Sequence, residues 1–408
     1  MKNITDVAGE PLTCPFSRLS KDFVPAGQPD PYIHLTDADE IKEVFLRTDD
    51  FSPANALTAV RKLNPASLRI LAGYRFSLPP VLASAEGELH RRVRGIVAKF
   101  FTPAKVRAQE SWIREAVRDE LARLSLGQSS NFSERALRVV PQHALFQLVG
   151  IPREEWYEHG ITEELLAHYS LSVVELFWGW PGDERQKELA HSAGEFYCKL
   201  RGLVCAQEGK PHTLFGALLG QGMSLRQTVS VAFFLSISGH FTTTLLMNTA
   251  LHAALDREGN LVPGTFALDQ LTDSERLTEH VRGVLAHQGP VPTWRRQAKV
   301  NTTLGERSIV AGEEILIHLS GRQDAPSNKL NALGKVPQAF QPHALAFGWG
   351  NHRCLGAILA ESEVCWVLDE IARWAVENNY RLSIADSEWV NVLSCRAPLN
   401  AVVTIAER

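Results

Sequence analysis

Residues 344–360 read A-L-A-F-G-W-G-N-H-R-C-L-G-A-I-L-A, and one cysteine, Cys354, stands there between a glycine-rich turn and the start of an apolar helix. Gly348 and Gly350, two apart, allow backbone conformations closed to other residues and let the chain approach a bulky group closely. Amides freed by such a turn point at the sulfur. Leu355, Ile358 and Leu359 recur at helical spacing after the cysteine. Cys354 is therefore expected at a helix start, where orphan N–H groups and the helix dipole favour a thiolate. A lone cysteine at a turn usually fills core space. Here every position of F-G-x-G-x-H-x-C-x-G has a geometric reason, and the reading is a metal ligand.

Working outward, the 408 residues contain no Gly/Ser-rich or Pro-rich linker, and 45% hydrophobic with 22% charged residues is the balance of a globular chain with an ample core. The expected fold class is mainly α with small β-sheets, in a single large domain. A formal charge of −4 excludes a global electrostatic footprint for nucleic acid or an anionic membrane. The six cysteines, at 14, 198, 205, 354, 365 and 395, form no CxxC pair and no disulfide framework, which suits a reducing cytoplasm. The opening residues M-K-N-I-T-D-V-A-G-E-P-L carry neither a signal-like nor an anchor-like apolar run, so no membrane attachment is expected.

Along the chain, residues 1–65 are proline-rich and read as a β-richer N-terminal lobe, and residues 86–290 as a helical core. From Glu86, apolar residues at 89, 93, 96, 97 and 100 mark a helix with a stop at Thr102-Pro103. His90 and Arg94, four apart, share one face of it, a solvated basic face unless something anionic meets them. Trp178-Gly179-Trp180-Pro181-Gly182 breaks a helical region as a turn, its tryptophans either core anchors or pocket walls. Residues 224–255 read as one long buried helix opened by a Ser224/Gln227 capping box and weakened at Gly239, where glycine costs roughly 1 kcal/mol relative to alanine. Glu279 and Arg282 share a helix face. Residues 290–296 end a helix and enter a strand, and the tail from Tyr380 returns as strands with Ser394-Cys395 at a loop tip.

The stretch Phe347-Gly348-Trp349-Gly350-Asn351-His352-Arg353-Cys354-Leu355-Gly356 resembles the haem-binding signature of the cytochromes P-450, in their soluble bacterial form. The resemblance implies the cytochrome P-450 fold and a haem b (iron protoporphyrin IX) with Cys354 as axial thiolate in the loop 344–360. It implies cofactor contacts from Phe347, Gly348, His352 and Gly356, and propionate ligands in His90, Arg94 and Arg296. Arg91 and Arg92 would face outward, toward an acidic redox partner. Ser238-Gly239-His240-Phe241-Thr242-Thr243 is similar to the family's oxygen-binding motif, small-Gly-x-acid-Thr-Thr, which gives Gly239, Phe241 and Thr242 the catalytic positions. Phe241 stands where the acid is expected. His240 is rotated about 100° from it around a helix and reads as a core or haem-flanking histidine. Glu279-x-x-Arg282 resembles the family's structural pair, whose third partner is missing from Lys335–Phe340, and Arg322-Gln323-Asp324 replaces the usual Asn-Arg-Asp.

By position along the chain, the resemblance places Trp178, Trp180, Leu235, Ser238, Thr293, Trp294 and Cys395 around the substrate. It implies a cytoplasmic monooxygenase or oxidase, monomeric, served by a ferredoxin and ferredoxin reductase. With no acid at 241, protons must come from water, from Thr242 or from the substrate. The substrate class this points to is an aromatic or peptidic natural-product intermediate, free or tethered to a carrier protein, undergoing hydroxylation or oxidative aryl coupling. A haem-binding sensor or recruiter without turnover is the non-enzymatic alternative.

Overall fold

In the computed structural model the described residues are Val24, 30–256, 262–320 and 342–408, so the expectations on Arg322-Gln323-Asp324 and Lys335–Phe340 lie outside them. The chain opens with β1 (Tyr32–Leu35), α1 (Ala38–Leu46), β2 (Phe51–Ser52), α2 (Pro65–Gly73), α3 (Gly87–Ala98), α4 (Pro103–Arg107) and α5 (Glu110–Leu121). It continues through β3 (Ser129–Asn131), α6 (Val139–Val149), α7 (Arg153–Glu158), α8 (Glu163–Trp178), α9 (Asp183–Cys205), α10 (Leu214–Gly220), α11 (Leu225–Ser238), α12 (Phe241–Leu255) and α13 (Ser274–Gln288). Strands β4 (Thr293–Ala298), β5 (Thr302–Leu304), β6 (Arg307–Ile309) and β7 (Glu314–His318) precede α14 (Ala357–Glu377). The chain closes on β8 (Tyr380–Asp386), β9 (Trp389–Val392), β10 (Cys395–Pro398) and β11 (Val402–Glu407). This is a mainly α architecture with small sheets.

The β-rich part is not built from the N-terminus alone. The four-stranded sheet runs β1-β7-β4-β2, with β1 parallel to β7, so strands nearly 300 residues apart share it. Its apolar face packs on Ile41, Val44 and Phe45 of α1. Two larger cores flank the α11–α12 run. One gathers α8, α9, α11, residues 81–82 and the β9–β10 hairpin. The other gathers α5, α12, α13, α14 and the β8/β11 pair.

Local chemistry explains the helix ends. Ser224 and Gln227 form the reciprocal capping box at the start of α11. Thr102-Pro103 does not merely stop α3, which already ends at Ala98. The threonine hydroxyl accepts from Lys105 N–H and the proline takes the first helical position of α4. The run Leu225–Leu255 is long and apolar enough to cross a membrane, but 78% of its most apolar window is buried inside the protein, as befits a core helix.

Candidate active site

The cysteine loop is tied down by its own backbone. Gly348 N–H donates to Leu345 O (2.8 Å), Cys354 N–H to Phe347 O (2.8 Å) and Arg353 N–H to Gly350 O (3.1 Å). Gly348 and Gly350 have φ of +71° and +66°, and a Cβ on Gly350 would lie 3.3 Å from the Phe45 carbonyl oxygen. Both glycines are thus demanded by handedness, and the second also by closeness to α1. The regular helix begins at Ala357, three residues after the cysteine, because Gly356 is its N-cap. The amide that reaches the sulfur is that of Gly356. Burial pushes the Cys354 thiol up, opposed by this amide and by the charges of Arg353 and Arg94. Cys354 has open surface although protein encloses its sulfur deeply, and both hold for a residue lining an internal hollow.

Four basic side chains converge beside this loop. His90 (4% exposed) and His352 stack with ring centroids 4.0 Å apart. Arg296 is 2% exposed, lies 4.9 Å over the Phe45 ring and donates to its neighbour's carbonyl, Arg295 O. Arg94 donates to Arg353 O (2.6 Å). Each base disfavours the charge of the next: burial, Arg296, His90 and Arg94 together push His352 down to about 3, and burial pushes Arg296 down to about 10 against the pull of Glu86. Among the described residues no carboxylate forms an ion pair with Arg94 or Arg296, and His90 Nε2 and His352 Nδ1 are buried without a partner. Such a cluster fits a buried dianion. Arg91 and Arg92 point outward, Arg92 donating to Gln221 O.

The expected single helix of residues 224–255 is broken in two. Gly239 and His240 lie between α11 and α12, and a Cβ at 239 would meet Leu145 Cδ1 at 2.9 Å and Leu235 O at 2.7 Å. Thr242 Oγ1 donates back to Ser238 O (3.0 Å). From Thr228 to Leu255 every residue is buried except Phe234, Ser238, Gly239 and Thr242. Phe234, Ser238 and Thr242, four apart each time, make one accessible stripe inside the core. Phe241 (7% exposed) and Leu235 (8%) turn instead into the apolar cluster against which Leu355, next to the cysteine, also packs. His240 faces α8, its Nε2 3.0 Å from Ser170 Oγ, and burial with the Arg138 charge pushes it down to about 3.

Of the residues read as pocket walls, Trp178, Trp180, Thr293 and Trp294 lie together. Trp178 and Trp294 pack edge to face at 5.8 Å, Trp178 Nε1 donates to Ala56 O (3.2 Å), and Trp180 packs near Leu316 and Leu393. Thr293 is buried and its hydroxyl donates to Leu393 O. Cys395 is not at a loop tip. It opens β10 at 0% exposure, because pairing of Val392 with Cys395 leaves only Leu393-Ser394 for the turn. Glu279 and Arg282 are both exposed and form no ion pair with each other among the described residues. Instead Arg114 on α5 pairs with Asp369 (2.7 Å) and Glu370 (2.9 Å) of α14. Sequence reasoning missed Phe234, whose signal was its spacing of four from Ser238, and it missed Leu145, Phe45 and Ser170, which only tertiary contact brings in.

No family model matches the chain. Cytochrome P450 119 of Sulfolobus acidocaldarius is 23% identical over 302 residues, covering 73% of this chain and 76% of that protein. The structure of cytochrome P450 CREJ in complex with (4-ethylphenyl) dihydrogen phosphate superposes with a TM-score of 0.78 at 24% identity, covering 92% of both chains. The chain has the fold of the cytochromes P450 and is similar to them in sequence. A third cytochrome P450, P450BioI solved with a fatty-acid-loaded acyl carrier protein, matches with a TM-score of 0.71 at 18% identity over 92% of this chain and 94% of that one. The accessible thiol and unneutralised cationic cluster are chemically suited to haem b. Haem held there by Cys354 would supply dioxygen activation, which a thiolate ligand favours.

Proposed function

We propose that this protein is a cytochrome P450, a cytoplasmic monooxygenase of specialised metabolism acting on an aromatic or peptidic intermediate, with electrons from a ferredoxin and its reductase. Cys354 ligates the iron, and His90, Arg94, Arg296 and His352 hold the propionates, two fixed cations and two imidazoles against two carboxylates. Ser238 and Thr242, on the accessible stripe, would face the bound oxygen, with the Gly239 break between them. The observation that carries the reading is the stripe Phe234-Ser238-Thr242, accessible in the middle of a buried helical run, combined with a deep but accessible cysteine.

The substrate class rests on half-buried aromatic side chains, Phe76, Phe177, Trp178 and Trp294. Phe76, in the loop after α2, contacts Phe177, Tyr197 and Phe233 at ring distances of 6.5, 5.2 and 5.5 Å. Flat rings meet such side chains edge-on or offset-stacked at small entropic cost. The substrate arrives free or tethered to a carrier protein. A second reading, oxidative aryl coupling without oxygen insertion, is favoured by Phe241, an apolar side chain where a proton-relaying acid is expected. Product mass separates the two: one added oxygen marks hydroxylation and loss of two hydrogens marks coupling. The reduced, CO-bound protein is expected to show the red-shifted Soret band of thiolate ligation, lost in Cys354→Ala. An unshifted band in the unmutated protein overturns the reading.

A further inference from the structure

Monooxygenation takes up two protons from outside the substrate: RH + O₂ + 2e⁻ + 2H⁺ gives ROH + H₂O. The side chain at 241 has none to give, being a phenylalanine packed in the apolar core. Resting on the monooxygenase reading above, we propose that a hydrated polar seam between α6, α8 and the α11–α12 break carries these protons inward, with Ser170 and His240 as its inner relay.

Four observations define the seam. Arg138, Gln142 and Leu145 lie on one face of α6, and Leu145 touches the break at Gly239, so that face lies against it. Ser236 and His240, four apart, lie at the same break, and Arg138 is near enough to His240 to oppose its charging. Polar groups in this apolar surrounding are left without protein partners among the described residues: Arg138 Nε, Gln142 Oε1, Ser236 Oγ and His240 Nδ1. Buried polar atoms of this kind are satisfied by internal water. At the outer end Gln142 Nε2 donates to Glu163 O (2.9 Å), and the Glu163 carboxylate meets His143 at 2.6 Å and accepts from the Tyr157 hydroxyl. His143 lines an open surface cleft of about 350 Å³. The seam therefore has a mouth at solvent and an end at the broken helix.

The inner pair has the geometry of a two-way relay. Ser170 Oγ is 2.8 Å from Leu166 O and 3.0 Å from His240 Nε2, so one hydroxyl proton has two acceptors in reach. When the hydroxyl hands its proton to Nε2, Nδ1 passes its own to a water at the Gly239 break, water on the outer side refills Ser170, and a turn of the ring restores the first tautomer. Ring and hydroxyl end with the protons they began with. A neutral imidazole, which is the form burial enforces here, can accept at one nitrogen while donating at the other.

The experiment compares His240→Phe, Ser170→Ala and the hydrogen-bonding His240→Gln in the haem-loaded protein. With O₂ and reductase, His240→Phe and Ser170→Ala are expected to lower product formed per electron pair by about tenfold, with His240→Gln intermediate. With hydrogen peroxide, where RH + H₂O₂ gives ROH + H₂O and no outside proton is consumed, all three are expected to match the unmutated protein. A high-resolution crystal structure of the haem-loaded protein is expected to show ordered water on Gln142 Oε1 and Ser236 Oγ. A dry seam, equal loss on both routes, or unchanged coupling with O₂ would each overturn the proposal. The CO-bound spectrum keeps the two readings apart: an unmutated protein without the thiolate band removes the functional reading itself, whereas a normal band with unchanged coupling removes only the seam.

Discussion

The imidazole rings of His90 and His352, 262 positions apart, lie nearly parallel at 24° with centroids 4.0 Å apart, inside a cluster completed by Arg94 and Arg296. Burial and the two guanidinium groups keep the stacked imidazoles from protonating unless an anion joins them. On the proposed reading the arrangement ties α3, β4 and the cysteine loop to a dicarboxylate cofactor. Replacing Arg296 by Leu removes one charge-assisted contact, expected to weaken haem retention by about 2 kcal/mol, or roughly 30-fold. The rate of haem transfer to apomyoglobin measures this. The circular dichroism of the cofactor-free variant should be unchanged, since Arg296 forms no ion pair with a carboxylate among the described residues.

The contact between Leu145 and Gly239 makes the break in the central helix specific. A methyl group at 239 meets Leu145 Cδ1 at 2.9 Å and the Leu235 carbonyl oxygen at 2.7 Å, so Gly239→Ala is expected to destabilise by about 2 kcal/mol. Leu145→Ala alone leaves a cavity and is expected to cost a similar amount. Because the two changes share one space, the double variant should lose clearly less than the sum of the singles. Urea unfolding of the four proteins gives the coupling, and strict additivity would show that the break does not depend on this contact.

Arg114 ties α5 to the helix that follows the cysteine loop. Its partners Asp369 and Glu370 are each 8% exposed and keep the more exposed Arg373 (2.8 Å) and Arg118 (3.2 Å), so removing the guanidinium leaves two buried carboxylates under-compensated. Arg114→Met is expected to destabilise by about 3 kcal/mol. Adding Asp369→Asn and Glu370→Gln to it should recover a large part of that loss, as read from thermal or urea unfolding. If the triple variant is no more stable than Arg114→Met, the cost lies in packing of the arginine stem and not in the under-compensated carboxylates.

What could be read from residue order is what local chemistry enforces. The paired glycines of the cysteine loop, the Ser224/Gln227 box and the four-residue spacing of His90 and Arg94 all act within a few residues, and each matches the observed geometry. What escaped depends on partners brought from elsewhere in the chain. Gly239 announced a weak point, but only Leu145 of α6 shows why the helix breaks completely there. The tail looked like a loop entering a pocket because hairpin register is set by pairing, which places the two-residue turn at Leu393-Ser394 and buries Cys395. Likewise the Glu279/Arg282 spacing suggested a structural pair, whereas the tie between α5 and α14 comes from Arg114 with Asp369 and Glu370, about 255 positions away.

The same dependence on tertiary partners gives the protein an acid limit. His280 is fully buried on α13, its Nδ1 accepting from Phe266 N–H (3.0 Å) and its Nε2–H donating to Ala250 O (2.9 Å). Both ring nitrogens are thus used by the neutral tautomer, and a second proton would face an N–H donor. Burial pushes His280 down to about 4, with the Ala250 carbonyl opposing it, and does the same to His252 on α12, also to about 4. In the unfolded chain both would protonate near pH 6.5. As pH falls from about 6.5 to about 4 the unfolded state therefore binds more protons, and stability drops by up to roughly 3 kcal/mol for each histidine. Below about 4 the loss levels off for these two groups, and above about 6.5 they contribute no pH dependence. His280→Gln lowers stability at neutral pH, because a glutamine amide reproduces the two bonds imperfectly, yet it should flatten the slope between pH 6.5 and 4 by about half of the two-histidine effect. Urea midpoints measured across that range test this, and a slope unchanged in His280→Gln would mean that the acid loss originates in other groups.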